Sequence, residues 1–328
     1  MNSRRRQGWT LVEVLVSTSI LAILVVVLAE ALNTTQRSWV TSRSAAERQQ
    51  TTDSVSNLFS QQLRRATLQA RPSYDSALNQ LVPNSDLHFV CGPAAELLPA
   101  ASGVCGDAVF FQRLAADGSL PNALQACGFF VQYGGDEAWR PTLLASAAPI
   151  CRRFRLLQFH QPAGSLTLFQ SSGIMGTPSR LSQFTMRSEL YQWFSQPISD
   201  SSTFRDSVSV VAENVVAMIM QASPASQRCY DTRRHQWQAG STDAALSRHQ
   251  LPEMIEITLV MVEEVGWSRM APERADAFAG EIMGFIKGQT WQTDAMQTSV
   301  KALERLLQTE GMTARTVVVL VSGGTSRQ

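Results

Sequence analysis

The chain has 328 residues, 44% hydrophobic and 17% charged, with a net charge of +1 at pH 7. That length accommodates one large domain or two small ones beyond a membrane helix. The near-neutral balance gives no electrostatic case for nucleic-acid binding. No long low-complexity segment and no repeat of about 20–50 residues is present, which excludes a solenoid.

Three arginines, Arg4, Arg5 and Arg6, lead into Gly8. Trp9 to Ala29 then carry a single charge, Glu13. At about 1.5 Å per residue a helix over this run measures about 31 Å, enough to cross a hydrocarbon core of roughly 30 Å. The leader arginines hold the N-terminus in the cytoplasm by the positive-inside rule. These features suit any signal peptide or signal anchor, but two details do not. The small residue that could mark a cut, Gly8, precedes the apolar run instead of following it. Glu13 lies inside the run, where a carboxylate costs about 2.5–3.5 kcal/mol on insertion scales. It either dips into the headgroups or has a partner.

The stretch from Gly8 through Trp9, Thr10, Leu11, Val12 and Glu13 resembles the class III signal of type IV pilins and type II secretion pseudopilins. The resemblance implies that prepilin peptidase cuts between Gly8 and Trp9 and that Trp9 becomes an N-methylated N-terminus. It implies also that Glu13 pairs with the amino group of a neighbouring subunit. Trp9 stands where the family usually has Phe. An ammonium and a carboxylate both stranded in lipid gain much by meeting, which draws subunits into register. Loss of the three leader arginines would leave a mature charge of −2.

No Gly or Pro occurs between Trp9 and Arg71, so the helix can continue to Pro72, about 90 Å if unbroken. The expected organisation is a leader over 1–8, a transmembrane helix over 9–30, a helical extension over 31–71 and a periplasmic head over 72–328. In the extension, Val55, Leu58, Phe59, Leu63 and Ala66 recur at helical spacing and suit packing under the head. Beyond Pro72, short apolar runs predict strands at Leu87–Val90, Ala108–Leu114, Phe129–Tyr133, Phe154–Phe159, Met254–Val262 and Thr316–Val321. Val208–Met220 reads as one strand, with a buried helix as the alternative. Leu190–Phe194 suits a short helical piece. Pro272–Ile286 and Asp294–Gln308 read as helices, the second with Met296, Val300, Leu303 and Leu307 on one face and Gly311 after it. The fold class is α+β: a long N-terminal helix packed on an antiparallel sheet, with helices inserted before the last strand. The pilin resemblance implies the same layout.

Parts of the head carry a narrower likeness. Val211–Met220, Tyr230–Trp237 and Leu251–Glu264 resemble the J-type minor pseudopilins and the pseudopilin-like Verru_Chthon cassette protein C. The likeness implies a minor subunit near a filament tip, with other pilin or pseudopilin subunits as partners.

Chemistry is sparse. Cys91, Cys105, Cys127, Cys151 and Cys229 form no C-x-x-C pair. An exported head permits disulfides, with Cys91–Cys105 and Cys127–Cys151 as neighbouring pairs, each closing a loop worth about 3 kcal/mol. Buried free thiols are the alternative. His88, His160, His235 and His249 lack metal-ligand spacing. Gly323-Gly324 lacks a P-loop lysine and a following helix, and no G-x-S-x-G occurs. Glu263-Glu264 suit a solvated strand edge. The expectation is a non-enzymatic structural subunit of the inner membrane, with no cofactor, metal or small-molecule substrate. The rival is a signal-anchored periplasmic binding module, which a clustered aromatic surface would favour; Trp139, Trp193, Trp237, Trp267 and Trp291 are scattered in sequence. An anchored hydrolase lacks its triad or metal motif.

Overall fold

The computed structural model describes residues 11–75, 79–115, 123–141, 149–169, 184–223, 228–238, 240–289, 291 and 293–322. The chain divides into two compact units, residues 1–54 and 55–328. Helix α1 (Leu11–Arg64) supplies the described part of the first and the opening of the second.

In the second unit α1 buries Val55, Phe59 and Leu63, with Leu58 packed at the margin. The Phe59 ring lies 4.5 Å from that of Phe129. The helix ends at Arg64, short of the breaker at Pro72. Its last turn tightens through Arg65 N–H to Gln62 O and Ala66 N–H to Leu63 O. Ala66 then bridges to Arg113, and Thr67 N–H donates to Gln112 O at 3.0 Å. A strand edge has taken the chain over before the proline is reached.

The strands in chain order are β1 (Arg71–Asp75), β2 (Gln80–Asn84), β3 (Val90–Pro93), β4 (Val104–Leu114), β5 (Leu124–Gly134), β6 (Arg153–Gln161), β7 (Val208–Glu213), β8 (Val215–Ser223), β9 (Tyr230–Asp231), β10 (Met254–Val262) and β11 (Ala314–Ser322). All pairings are antiparallel, giving a six-stranded sheet in the order β7-β6-β5-β4-β3-β9, a three-stranded sheet β11-β10-β8 and a β1-β2 ribbon. The long-helix, antiparallel α+β architecture is as expected. Six predicted strands recur, with Leu87–Val90 displaced to Val90–Pro93. The run Val208–Met220 is two strands in different sheets. They part at Asn214, whose φ of 61° suits a side chain that tolerates the left-handed region. Asn214 N–H donates to Phe154 O, and its own carbonyl accepts Val262 N–H, so one residue ties both sheets at the corner.

Short helices α2 (Ala94–Leu97), α5 (Ser201–Ser207) and α7 (Thr242–Ser247) connect strands. Against one face of the large sheet lie α3 (Arg187–Leu190) and α4 (Gln192–Ser199), where a single short helical piece was expected. Phe194 of α4 stacks on Phe110 at 4.0 Å. Gly128 makes room for Phe110, since a Cβ there would sit 2.2 Å from its ring. A bulge in β4 at Gly106 (φ 69°) turns Asp107 inward. Its carboxylate accepts Met220 N–H at 2.8 Å and so caps the side of β8 that faces away from β10.

Three helices precede the last strand: α8 (Glu264–Arg269), α9 (Pro272–Gly288) and α10 (Thr293–Thr309). Pro272 opens α9 at its first turn, where its missing N–H is not needed. Helix α9 buries Ala275, Phe278, Ala279, Ile282 and Ile286, and α10 the expected Met296, Val300, Leu303 and Leu307. At the end of α10, Met312 N–H reaches Leu307 O and Gly311 N–H reaches Gln308 O, with Gly311 at φ 71°. This two-bond cap is the reason glycine stands there.

Candidate functional site

Two regions concentrate unusual residues: the exposed apolar stretch of α1 and a buried polar centre in the head. Gly8, Trp9 and the leader arginines lie outside the described residues. Leu11–Gln36 is 26 residues long, its most apolar 18-residue stretch has a mean hydropathy of 2.7, and none of that stretch is buried. Such a helix measures about 39 Å, enough to cross a bilayer core with tilt. Glu13 is exposed in its first turn, where a carboxylate complements the N-terminal end of the helix dipole. The hydroxyls of Ser17, Ser19, Thr34 and Thr35 each donate to the carbonyl four residues earlier, at 2.7–2.9 Å. They therefore present no unsatisfied donor to lipid.

The polar centre joins residues more than a hundred positions apart. His88 Nε2 lies 2.7 Å from Asp231 Oδ1, both fully buried. Trp193 Nε1–H donates to His88 Nδ1 at 3.2 Å. An indole N–H can only donate, so Nδ1 carries no proton and the ring faces Asp231 with Nε2–H. Asp231 also accepts Arg233 N–H at 2.7 Å, Tyr191 O–H at 3.0 Å and Trp237 Nε1–H at 3.1 Å. Burial by itself would raise its carboxyl; the His88 ring, Arg233 N–H and Trp237 N–H override that and bring it down to about 2. The buried Arg233 guanidinium donates to the carbonyls of Leu87 and Ser85, and burial lowers it to about 10. An Asp–His pair can serve a nucleophile, but here both ring nitrogens are engaged and solvent is excluded. The arrangement fastens β3, β9, α3, α4 and α6 (Arg234–Trp237) together. No sequence motif flagged it, because its members share no local spacing; Tyr230–Trp237 was singled out only by likeness.

His249 packs beside this centre. Its ring centroid lies 4.8 Å from that of His235, its φ is 50°, and its N–H donates to Thr232 O. Burial, then Arg233, His235, Arg248 and His88, lower its pKa from 6.5 to about 3. A depressed histidine contributes stability in full above pH 6.5 that is lost as pH falls towards 3, on the order of 5 kcal/mol. Other carboxyls titrate in that window, including Asp107, which burial pushes up to about 6. The measurement is therefore a difference. His249→Asn keeps a residue tolerant of positive φ and removes the titration. Urea midpoints of wild type and variant are expected to diverge progressively between pH 6.5 and 3, with wild type losing more; parallel curves would refute this.

The cysteines do not pair as expected: all five are free. Cys91 lies opposite Val109 and Cys105 opposite Val131, at separate places along β4. Cys127 lies opposite His160, whereas Cys151 N–H bonds Asp136 beyond the other end of β5. That places Cys127 and Cys151 on the order of 30 Å apart at about 3.3 Å per residue, far beyond disulfide reach. Burial raises the thiols of Cys91, Cys105, Cys127 and Cys229, to about 12 for Cys105 and about 11 for Cys127 and Cys229. Cys91, Cys105 and Cys127 are buried packing groups, whereas Cys229 is half-buried. Among the described residues no cluster of three or more His, Cys, Asp or Glu could hold a metal ion. Trp193, Trp267 and Trp291 are buried, while Trp139 and Trp237 are half-buried under arginines.

Residues 3–29 match the family described as the prokaryotic N-terminal methylation motif. No curated protein and no solved structure matches the chain. The match covers the segment holding Gly8, Trp9 and Glu13, and so supports a type IV pilin-like class III signal, the kind processed by prepilin peptidase, on a helix that fits a membrane anchor.

Proposed function

We propose that the chain is a minor pseudopilin-like structural subunit of a type II secretion or type IV pilus-like filament. It is held in the inner membrane by α1, with its N-terminus cytoplasmic and its head periplasmic. Prepilin peptidase cuts after Gly8, Trp9 is methylated, and Glu13 sets the register with neighbouring pilin or pseudopilin subunits. The observation that carries this reading is the methylation motif at residues 3–29, which leads directly into a lipid-compatible helix. The role is non-enzymatic assembly. The inward-facing, fully engaged His88–Asp231 pair supports that role, as does a head whose tryptophans serve its core and not a binding surface. J-type likeness in the segments around β8, β9 and β10 favours a place near the filament tip.

Processing is the test. N-terminal sequencing of protein extracted from membranes should begin at N-methyl-Trp9, and Gly8→Ala should block the cut. An N-terminus at Met1, or one beyond residue 30, would overturn the proposal.

A further inference from the structure

A guanidinium keeps its charge at any ordinary pH, so burying one without an acceptor is costly. Three arginines are buried among the described residues: Arg113, Arg155 and Arg233. Two of them are satisfied. Arg155 donates to the carbonyls of Gly134, Gly135 and Cys151, and its Nε lies 3.4 Å from Glu213 Oε1. Arg233 donates to the carbonyls of Leu87 and Ser85. Arg113 is the exception. It is 8% exposed, and its Nε–H is sealed from solvent without an acceptor. Among the described residues its guanidinium makes no hydrogen bond and no ion pair.

Arg113 lies near the end of β4. Residues 109, 111 and 113 share the sheet face on which Phe59 of α1 meets Phe129, since Val109 opposes Phe129. Helix α1 ends at Arg64, and Ala66 bridges the Arg113 backbone, so the helix stops beside this position. Opposite Arg113 stands Gln125, whose Oε1 lies 3.4 Å from His160 Nε2. An amide oxygen only accepts, so His160 directs Nε2–H at it. Two residues along β5, the Cys127 thiol feels the Arg113 charge, which lowers its pKa against burial. His160, Gln62 and Leu114 are half-buried, so the group lies close to solvent.

We propose that Arg113, with Gln125 and His160 beside it, is a receptor for a carboxylate. A buried polar group without a partner calls for a missing water or ion, and a buried cation calls for an anion. The planar fork of a guanidinium matches a carboxylate through two parallel N–H···O bonds. Water is the competing occupant, since Gln62, one turn before Ala66, also has a buried Oε1 without a partner. A water satisfies polar atoms but leaves the charge unbalanced. A free carboxylic acid and an acidic side chain of another chain offer the same chemistry. The site is independent of the methylation motif and of filament assembly.

Thermal unfolding of the full chain in detergent reads the site. Acetate replacing chloride at constant pH and ionic strength is expected to raise the wild-type midpoint with the logarithm of its concentration, as a ligand of the folded state does. Salt excluded from the surface stabilises any chain, so the quantity is the difference from Arg113→Gln. That variant should show only the general rise. In chloride it should melt at or above the wild-type midpoint, because it removes an uncompensated charge; an arginine that only holds the fold together gives the opposite. A tetraglutamate peptide at equal carboxylate concentration separates the sources. A larger shift than that of acetate assigns the site to an acidic chain segment, and an equal or smaller one to a free carboxylate. The proposal is overturned if acetate and peptide shift wild type and Arg113→Gln alike, which leaves water as the occupant, or if Arg113→Gln melts lower in chloride.

Discussion

Replacing Asp231 with alanine is expected to destabilise the head by about 3–5 kcal/mol, because it strands several buried donors and leaves a buried cation, Arg233, without its opposite charge. Four donors lose their acceptor at once: His88 Nε2–H, Arg233 N–H, Tyr191 O–H and Trp237 Nε1–H. The Arg233 guanidinium, also buried, loses the opposite charge that helps to offset its burial. Against a typical domain stability of about 5–15 kcal/mol, this is a large fraction. Asp231→Asn should recover little. An amide has one acceptor oxygen, and its NH2 would face either the His88 side or the Trp237 indole, which can only donate. Urea unfolding followed by tryptophan fluorescence checks this, since Trp193 and Trp237 report on the centre directly. A shift below about 1 kcal/mol, the worth of an ordinary hydrogen bond, would mean that the centre is not the fastening described.

The same carboxylate has a pH signature. Its pKa is about 2 in the folded state against 3.8 for an unperturbed group. A depressed acid contributes stability that is fully present above pH 3.8 and lost as pH falls through 2, roughly 2 kcal/mol in all. Wild type should therefore lose roughly 2 kcal/mol of its advantage over Asp231→Ala in that interval. His249 acts higher, between pH 6.5 and 3, so the two effects separate on the pH axis.

The second large effect concerns assembly. If Glu13 pairs with the N-terminal ammonium of a neighbouring subunit, Glu13→Gln leaves a cation uncompensated in lipid. Breaking such a pair costs about 3–5 kcal/mol, large beside the roughly 1 kcal/mol of a typical interhelical polar contact. Two readouts should then part. Cutting after Gly8 continues, because it depends on the leader junction, while co-purification with partner subunits drops. Membrane insertion is unchanged or slightly better, since an amide enters hydrocarbon more readily than a carboxylate. Normal assembly of processed Glu13→Gln protein would remove the register role and leave Glu13 as a first-turn residue complementing the helix dipole.

Local pattern determined much of this protein. The apolar run after Gly8, the i, i+3, i+4 faces of α9 and α10, proline at the start of α9 and Gly311 at the end of α10 were legible because each depends on neighbours within two helical turns. The alternation along Met254–Val262 likewise set the bounds of β10. The N-terminal motif was legible for the same reason: its residues are contiguous.

Tertiary structure decided what depends on distant partners. Val208–Ser223 is a nearly continuous apolar run in sequence, and only pairing with β6 on one side and β10 on the other divides it at Asn214. The cysteines are near in sequence, yet strands of 11 residues carry them apart, because an extended chain gains about 3.3 Å per residue. His88 and Asp231 lie 143 residues apart and meet because Val90 pairs with Asp231 at the edge of the large sheet. Once there, burial forces each polar atom to find a partner, and Trp193, Tyr191 and Trp237 supply them. Sequence periodicity records which face of an element is apolar; which distant polar groups that face must satisfy is set only when the sheets close.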